Sequence, residues 1–167
     1  MDDDPLARAN EITHVNDAVT IAIAFENRTR ALYLKLKEDV KNKHLVTLLD
    51  FLANEEIHHA GFLIDFKKKQ NISVVSKDVQ DAFRMKVTEV MVKVSGEVDP
   101  SAAQFELILS AMRVERQAED LYRTLSQRFP DEEEIVAFFD LMAHFERTHY
   151  DLLDGIITQT DDFRMQS

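Results

Sequence analysis

One short pattern occurs twice in this chain and limits its fold more than any other feature. Asp50 through His59 and Asp140 through His149 each contain Ala-x-x-Glu-x-x-His, at Ala53, Glu56 and His59 and again at Ala143, Glu146 and His149. A second pair of related segments precedes them. Ala24-Phe25-Glu26 through Ala31-Leu32-Tyr33 parallels Arg113-Val114-Glu115 through Asp120-Leu121-Tyr122. Two like segments repeated in the same order are most simply two similar helix hairpins. Only three glycines and three prolines interrupt 167 residues, so the helices can be long.

Apolar residues recur at helical spacing over four long segments. The first spans about 13–41, with Val15, Val19, Ala22, Tyr33 and Leu36 on one stripe. The second spans about 44–70, with Leu45, Leu49, Leu52, Leu63 and Phe66 in register. The third spans about 101–128 with Ser101 as its cap, and the fourth about 132–158, after the break at Phe129-Pro130-Asp131. A weaker helix at about 77–94 follows the β-branched patch Ile72 to Val75, and Gly96 and Pro100 close that region. The connection from Asn71 to Pro100 is too long for a tight hairpin turn. It is long enough to travel back along a helix of ~40 Å, at about 1.5 Å per helical residue. Such a crossover makes the second and third long helices parallel. The expected fold is therefore all-α: a four-helix bundle of two hairpins joined by a long crossover that contains a short helix. It forms a single domain over 1–167, the bundle at about 13–158 and the termini short and polar.

Composition narrows the chemistry. Thirty-one acidic against twenty basic residues give a formal charge of -11, which repels phosphate backbones and argues against nucleic acid as a partner. The absence of cysteine excludes disulfides, thiol catalysis, zinc–thiolate sites and iron–sulfur centres on this chain. The start, Met-Asp-Asp-Asp-Pro, is acidic where a secretory signal is basic. The apolar stretch from Val19 to Phe25 is far short of the ~20 residues of a membrane span. A soluble, cytoplasmic protein with no membrane partner is expected.

Against this background, several acidic residues stand in apolar stripes. Glu26 is in line with Ile12, Val19, Tyr33 and Val40, and Glu115 with Ile108, Tyr122 and Phe129. Glu56 and His59 sit among Leu49, Leu52, Leu63 and Phe66, and Glu146 and His149 among Ile135, Phe139, Met142, Leu153 and Ile156. Residues at i and i+3 share a helix face, so each Glu-x-x-His can aim both heads at one point. In an antiparallel hairpin, residues equidistant from the turn lie level. The midpoint between Glu26 and the Glu56/His59 pair falls near Lys41-Asn42, and that between Glu115 and Glu146/His149 at Asp131. Each lone glutamate thus faces the Glu-x-x-His of its own hairpin.

Four carboxylates and two imidazoles converging in a dry interior need counter-charge, because each buried carboxylate costs several kcal/mol and they repel one another. Two divalent cations would balance four carboxylates. Glutamate and histidine without thiolate suit iron or manganese, with zinc able to substitute. Two bridging glutamates would hold the ions roughly 3.5–4 Å apart. The spacing alone is weak evidence, since Glu11/His14 and Glu55/His58 also fit it. Glu11/His14 has no partner helix in register. Asp65 spoils the apolar face of Glu55/His58, and the internal repeat selects Glu56/His59.

With these residues in place, the chain resembles the ferritin-like superfamily, and within it the rubrerythrin di-iron domain, over about residues 13–158. The resemblance implies that Glu26 and Glu56 with His59 serve one iron, and Glu115 and Glu146 with His149 the other, Glu56 and Glu146 bridging. It also implies that Tyr33 and Tyr122 hydrogen-bond across the site, although ordinary core tyrosines would show the same spacing. Three features depart from the pattern. Ala118 stands where rubrerythrins carry a further glutamate, and Glu119, one residue off, is expected to face solvent. Phe145 stands where an acidic residue often supports a histidine. No rubredoxin-type iron site can form without cysteine.

By this resemblance the protein is a non-haem di-iron oxidoreductase that reduces hydrogen peroxide or dioxygen, draws on an external electron donor and pairs as a homodimer. The alternatives are a ferroxidase or iron-handling protein, a helical interaction module with a structural metal, and a manganese catalase-like activity, for which the chain is short.

Overall fold

The computed structural model describes residues 5–69, 75–94 and 102–165. Among the described residues the chain is all-α, with helices α1 (Pro5–Ala9), α2 (Val15–Glu38), α3 (Lys43–Lys69), α4 (Lys77–Val94), α5 (Ala102–Arg128) and α6 (Glu133–Met165). The helix starts follow local chemistry. Asn42 Oδ1 accepts from the backbone N–H groups of His44 at 2.9 Å and Leu45 at 3.2 Å, satisfying two donors that have no partner within α3. Ser76 Oγ accepts from the backbone N–H of Val79 at 3.4 Å at the start of α4. The carbonyl of Glu132 accepts from Ile135 and Val136 and starts α6 just after the break at Pro130-Asp131. Gly96, Pro100 and Ser101, and Ile72 to Val74 of the β-branched patch, lie outside the described residues.

The order of the bundle can be read from side chains. The α2–α3 and α5–α6 pairs form the two hairpins, with turns at 39–42 and 129–132. Tyr33 of α2 reaches Glu115 of α5, while Tyr122 of α5 reaches Glu26 of α2. Later residues of one helix thus meet earlier residues of the other, so α2 and α5 run antiparallel. Because α3 reverses α2, α3 and α5 are parallel, as the crossover requires. The α3–α6 pair is antiparallel by the same logic: Phe66 stacks on Phe138 at 3.9 Å between ring centroids, and Phe51 meets His149 edge-on at 6.0 Å.

Two apolar clusters fill the bundle. One gathers Phe66, Leu121, Leu125, Phe138 and Phe139, and the other Leu45, Leu49, Leu52, Ile108 and Leu153. Tyr122 belongs to the first and Tyr33 to the second, so the polar layer they bond lies where the clusters meet. Burying these side chains contributes roughly 1.5–3 kcal/mol each and holds the polar layer in a dry setting.

Both ends carry helix beyond the expected bundle at 13–158. Residues before 13 include α1, which packs on α5: Ala9 and Ile12 are buried, and Arg128 Nε donates to the carbonyl of Ile12 at 3.0 Å. Five residues are too few to carry a helical periodicity, which is why α1 escapes a sequence reading. Past Thr158, α6 continues to Met165, since nothing there breaks a helix: no glycine or proline follows Gly155. Among the described residues no helix is long and apolar enough to cross a membrane.

Candidate metal centre

All six residues singled out from the repeat are buried at the middle of the bundle. Glu26, Glu115, Glu146 and His149 are 0% exposed, and Glu56 and His59 are 1% exposed. Each long helix brings its share: α2 gives Glu26, α3 gives Glu56 and His59, α5 gives Glu115, and α6 gives Glu146 and His149. The discarded pair Glu11/His14 is exposed.

Distances show how tightly they converge. His59 Nδ1 lies 2.8 Å from Glu146 Oε1, 3.6 Å from Glu56 Oε2 and 3.9 Å from Glu26 Oε2. His149 Nδ1 lies 3.4 Å from Glu115 Oε2 and 3.5 Å from Glu146 Oε2. Two groups of four could each hold a metal ion: Glu26, Glu56, His59 and Glu146, and Glu56, Glu115, Glu146 and His149. Glu56 and Glu146 belong to both, and the other four residues to one each.

The hydrogen bonding within the layer explains the division. Tyr122 donates its hydroxyl to Glu26 Oε1, and Tyr33 donates to Glu115 Oε1. Each lone glutamate therefore has one oxygen held by a tyrosine, while its Oε2 has no hydrogen-bond partner. Glu56 and Glu146 leave both oxygens without one, and His59 and His149 leave both ring nitrogens. Even the 2.8 Å approach of His59 to Glu146 lacks the alignment of a hydrogen bond. Buried polar atoms are almost always paired, because an orphaned one costs about 1–3 kcal/mol and a charged one more. So many in one layer, on residue types that suit iron or manganese, form clusters that could hold a metal ion. A cation fits these residues.

Electrostatics points the same way. Burial first, then the charge of Glu146, raises Glu26 and Glu56 above the ordinary carboxylate range, Glu56 the further of the two. Burial pushes Glu115 up to about 7 against the pull of His149. Glu146 goes the other way: burial opposes ionisation, but His59 and His149 on either side hold it well below the usual range. For His149, burial favours the neutral ring, yet Glu115 and Glu146 overcome it and raise the ring to about 10, and His59 is raised for a like reason. In the absence of a cation, burial and the facing charges favour the protonated forms of Glu26, Glu56, Glu115, His59 and His149. Tyr33 and Tyr122 are raised by burial and by the facing carboxylates, so both keep their protons and remain donors.

An aromatic shell surrounds the histidines. Phe145 stacks on His59 at 5.4 Å, and the two imidazoles stack on each other at 5.3 Å. Phe83 of α4 meets Phe145 edge-on at 4.7 Å and His149 at 5.6 Å. The crossover helix therefore closes the α3–α6 side of the layer. Phe145 supplies ring contact where an acidic neighbour was absent. The sequence carried no signal for Phe83, because its position relative to the bundle depends on the path of the crossover.

Two further glutamates are buried as well. Glu119 does not face solvent: it is 6% exposed, with Arg123 Nη2 and Nε at 2.7 and 2.9 Å and Arg147 Nη1 at 3.9 Å. An arginine at i+4 and another on α6 neutralise it, and the i+4 arginine was the available signal. Glu55, on the rejected helix frame, is also buried, at 4% exposed, with its Oε1 3.1 Å from His58 Nδ1.

Residues 17–95 match the family model described as Rubrerythrin. The match bears out the rubrerythrin-type, ferritin-like resemblance and points to a di-iron carboxylate protein whose buried glutamate and histidine clusters could hold metal. It covers Glu26, Glu56 and His59 and ends before the second half of the repeat. No curated protein and no solved structure gave a significant match.

Proposed function

We propose that this chain is a rubrerythrin-like di-iron oxidoreductase that reduces hydrogen peroxide in preference to dioxygen. One observation carries the reading: two near-identical ligand sets share the carboxylates of Glu56 and Glu146, whose four oxygens have no other partner. In this reading Glu26, Glu56, His59 and Glu146 hold one ion, and Glu56, Glu115, Glu146 and His149 the other. Bound iron would supply the two electrons that, with two protons, convert hydrogen peroxide to two waters, each ferrous ion becoming ferric.

The chain's own residues set the conditions. Tyr33 and Tyr122 fix Glu115 and Glu26 by donating to their Oε1 atoms, which turns each Oε2 toward the centre. Held this way, the carboxylates need little reorganisation when charge changes. Phe83, Phe145 and the two apolar clusters surround the layer with apolar side chains. Each turnover consumes two electrons, so repeated turnover needs an external donor. The reading also has the chain pair as a homodimer, which sedimentation would test, and work in the cytoplasm, which cell fractionation would test.

Stopped-flow mixing of the ferrous-loaded protein with each oxidant, followed by iron analysis after gel filtration, tests the function. Faster oxidation by peroxide with iron retained is the expected result. Faster oxidation by dioxygen with ferric iron released would make iron the substrate and the protein a ferroxidase, and no oxidation by either would leave a structural metal.

A further inference from the structure

Beside the centre, between α4 and the α3–α6 pair, lies a cavity of about 280 Å³ whose lining includes Glu55, His58, His59, Phe62, Phe83 and Lys86. A water needs about 10–15 Å³ of such space, so the cavity has room for an ion that still carries several waters. Its inner wall includes His59, 1% exposed and with neither ring nitrogen hydrogen-bonded. Its outer rim includes the half-exposed His58 and the exposed Lys86.

Glu55 joins the two. It is 4% exposed although its partner His58 is in solvent, which an ordinary surface pair on a helix would not require. Glu55 and His59 are one turn apart on the same face of α3. Glu55, His59 and His149 each place one ligand atom so that all three lie within 4.8 Å of one another. This is a third donor group, and it overlaps both proposed metal positions through their histidines while reaching the cavity through Glu55.

We propose that Glu55 and His58 form an admission site for divalent metal, through which a cation passes from the cavity to His59 and His149. The proposal rests on the metal-centre reading above. In it, one carboxylate oxygen of Glu55 meets the ion beside His58, and the short distance to His59 and His149 lets the ion change ligands without crossing bare apolar surface. Lys86 at the rim opposes the incoming charge and sets the rate rather than the final occupancy.

The test is the rate at which the full metal-free chain takes up cobalt(II), followed by the visible absorption of the bound ion, with metal analysis at the end point. Glu55→Gln should slow uptake about tenfold and leave the final stoichiometry at the wild-type value. His58→Ala, at a half-exposed position, should slow it several-fold, and Lys86→Glu should speed it. Uptake by Glu55→Gln and His58→Ala at the wild-type rate would overturn the proposal. So would the loss of one bound ion in Glu55→Gln, which would make Glu55 a resident ligand. A wild-type chain that takes up no cobalt would refute the metal centre itself, whereas a wild-type chain that fills normally keeps that reading whatever the variants do.

Discussion

Metal-free and metal-loaded protein should respond to pH with opposite signs. Glu115 is pushed from 4.5 to about 7 in the folded protein, so between these values the unfolded chain releases a proton that the folded chain keeps. The stability Glu115 contributes is present below pH 4.5 and is lost as pH climbs to about 7. At about 1.4 kcal/mol per pH unit, this amounts to about 3 kcal/mol. Glu26 and Glu56, also raised, act in the same direction, as do His59 and His149, the latter losing its contribution between 6.5 and about 10. Glu146, held low, is ionised in both states above pH 5 and adds no slope there. For a chain of this length about 3 kcal/mol shifts the melting midpoint by roughly 6–12 °C. Stripped protein melted by circular dichroism should therefore lose at least that much midpoint between pH 5 and pH 8. Bound metal displaces the same protons, so its affinity, and with it the loaded protein's midpoint, should rise over that range. A stripped protein that gains stability from pH 5 to pH 8 would refute the assignment of these protons to the buried layer.

Two further outcomes follow from the same geometry. Glu56→Gln removes a carboxylate from a crowded layer, so at pH 8 the stripped variant should melt above the stripped wild type while binding less metal; Glu119→Gln, whose carboxylate is matched by Arg123 and Arg147, should melt lower and bind metal normally. Tyr122→Phe and Tyr33→Phe each orphan a buried carboxylate oxygen, so each should cost about 1–3 kcal/mol in urea unfolding and slow oxidation by peroxide without emptying the site.

What the sequence made legible was governed by period and repetition. Glutamates and histidines on apolar stripes, doubled in two hairpins, identify a buried layer because helix spacing fixes which side chains share a face and turn position fixes their height. The register of Glu26 with Glu56, and of Glu115 with Glu146, follows from the turns at 39–42 and 129–132 alone. The reciprocal bonds of Tyr33 and Tyr122 join different hairpins, so their partners depend on how the hairpins dock, which spacing within one helix does not encode. Phe83 closing the site from α4 and Glu55 opening onto a cavity depend on the route of the crossover. Glu119 was misread because it lies one residue off the position of the further glutamate and so leaves the ligand face, whereas two arginines let it stay buried. Short α1 was invisible because its burial comes from α5 and not from its own pattern.

The number of metal ions the protein holds decides whether the buried layer is a di-iron centre. Protein purified without added metal, then stripped and reloaded anaerobically with ferrous iron, should hold close to two ions per chain by elemental analysis after gel filtration. Glu146→Ala, which removes a carboxylate common to both donor groups, should lower both occupancies together. A wild-type content near zero, or full retention of two ions by Glu146→Ala, would contradict the account.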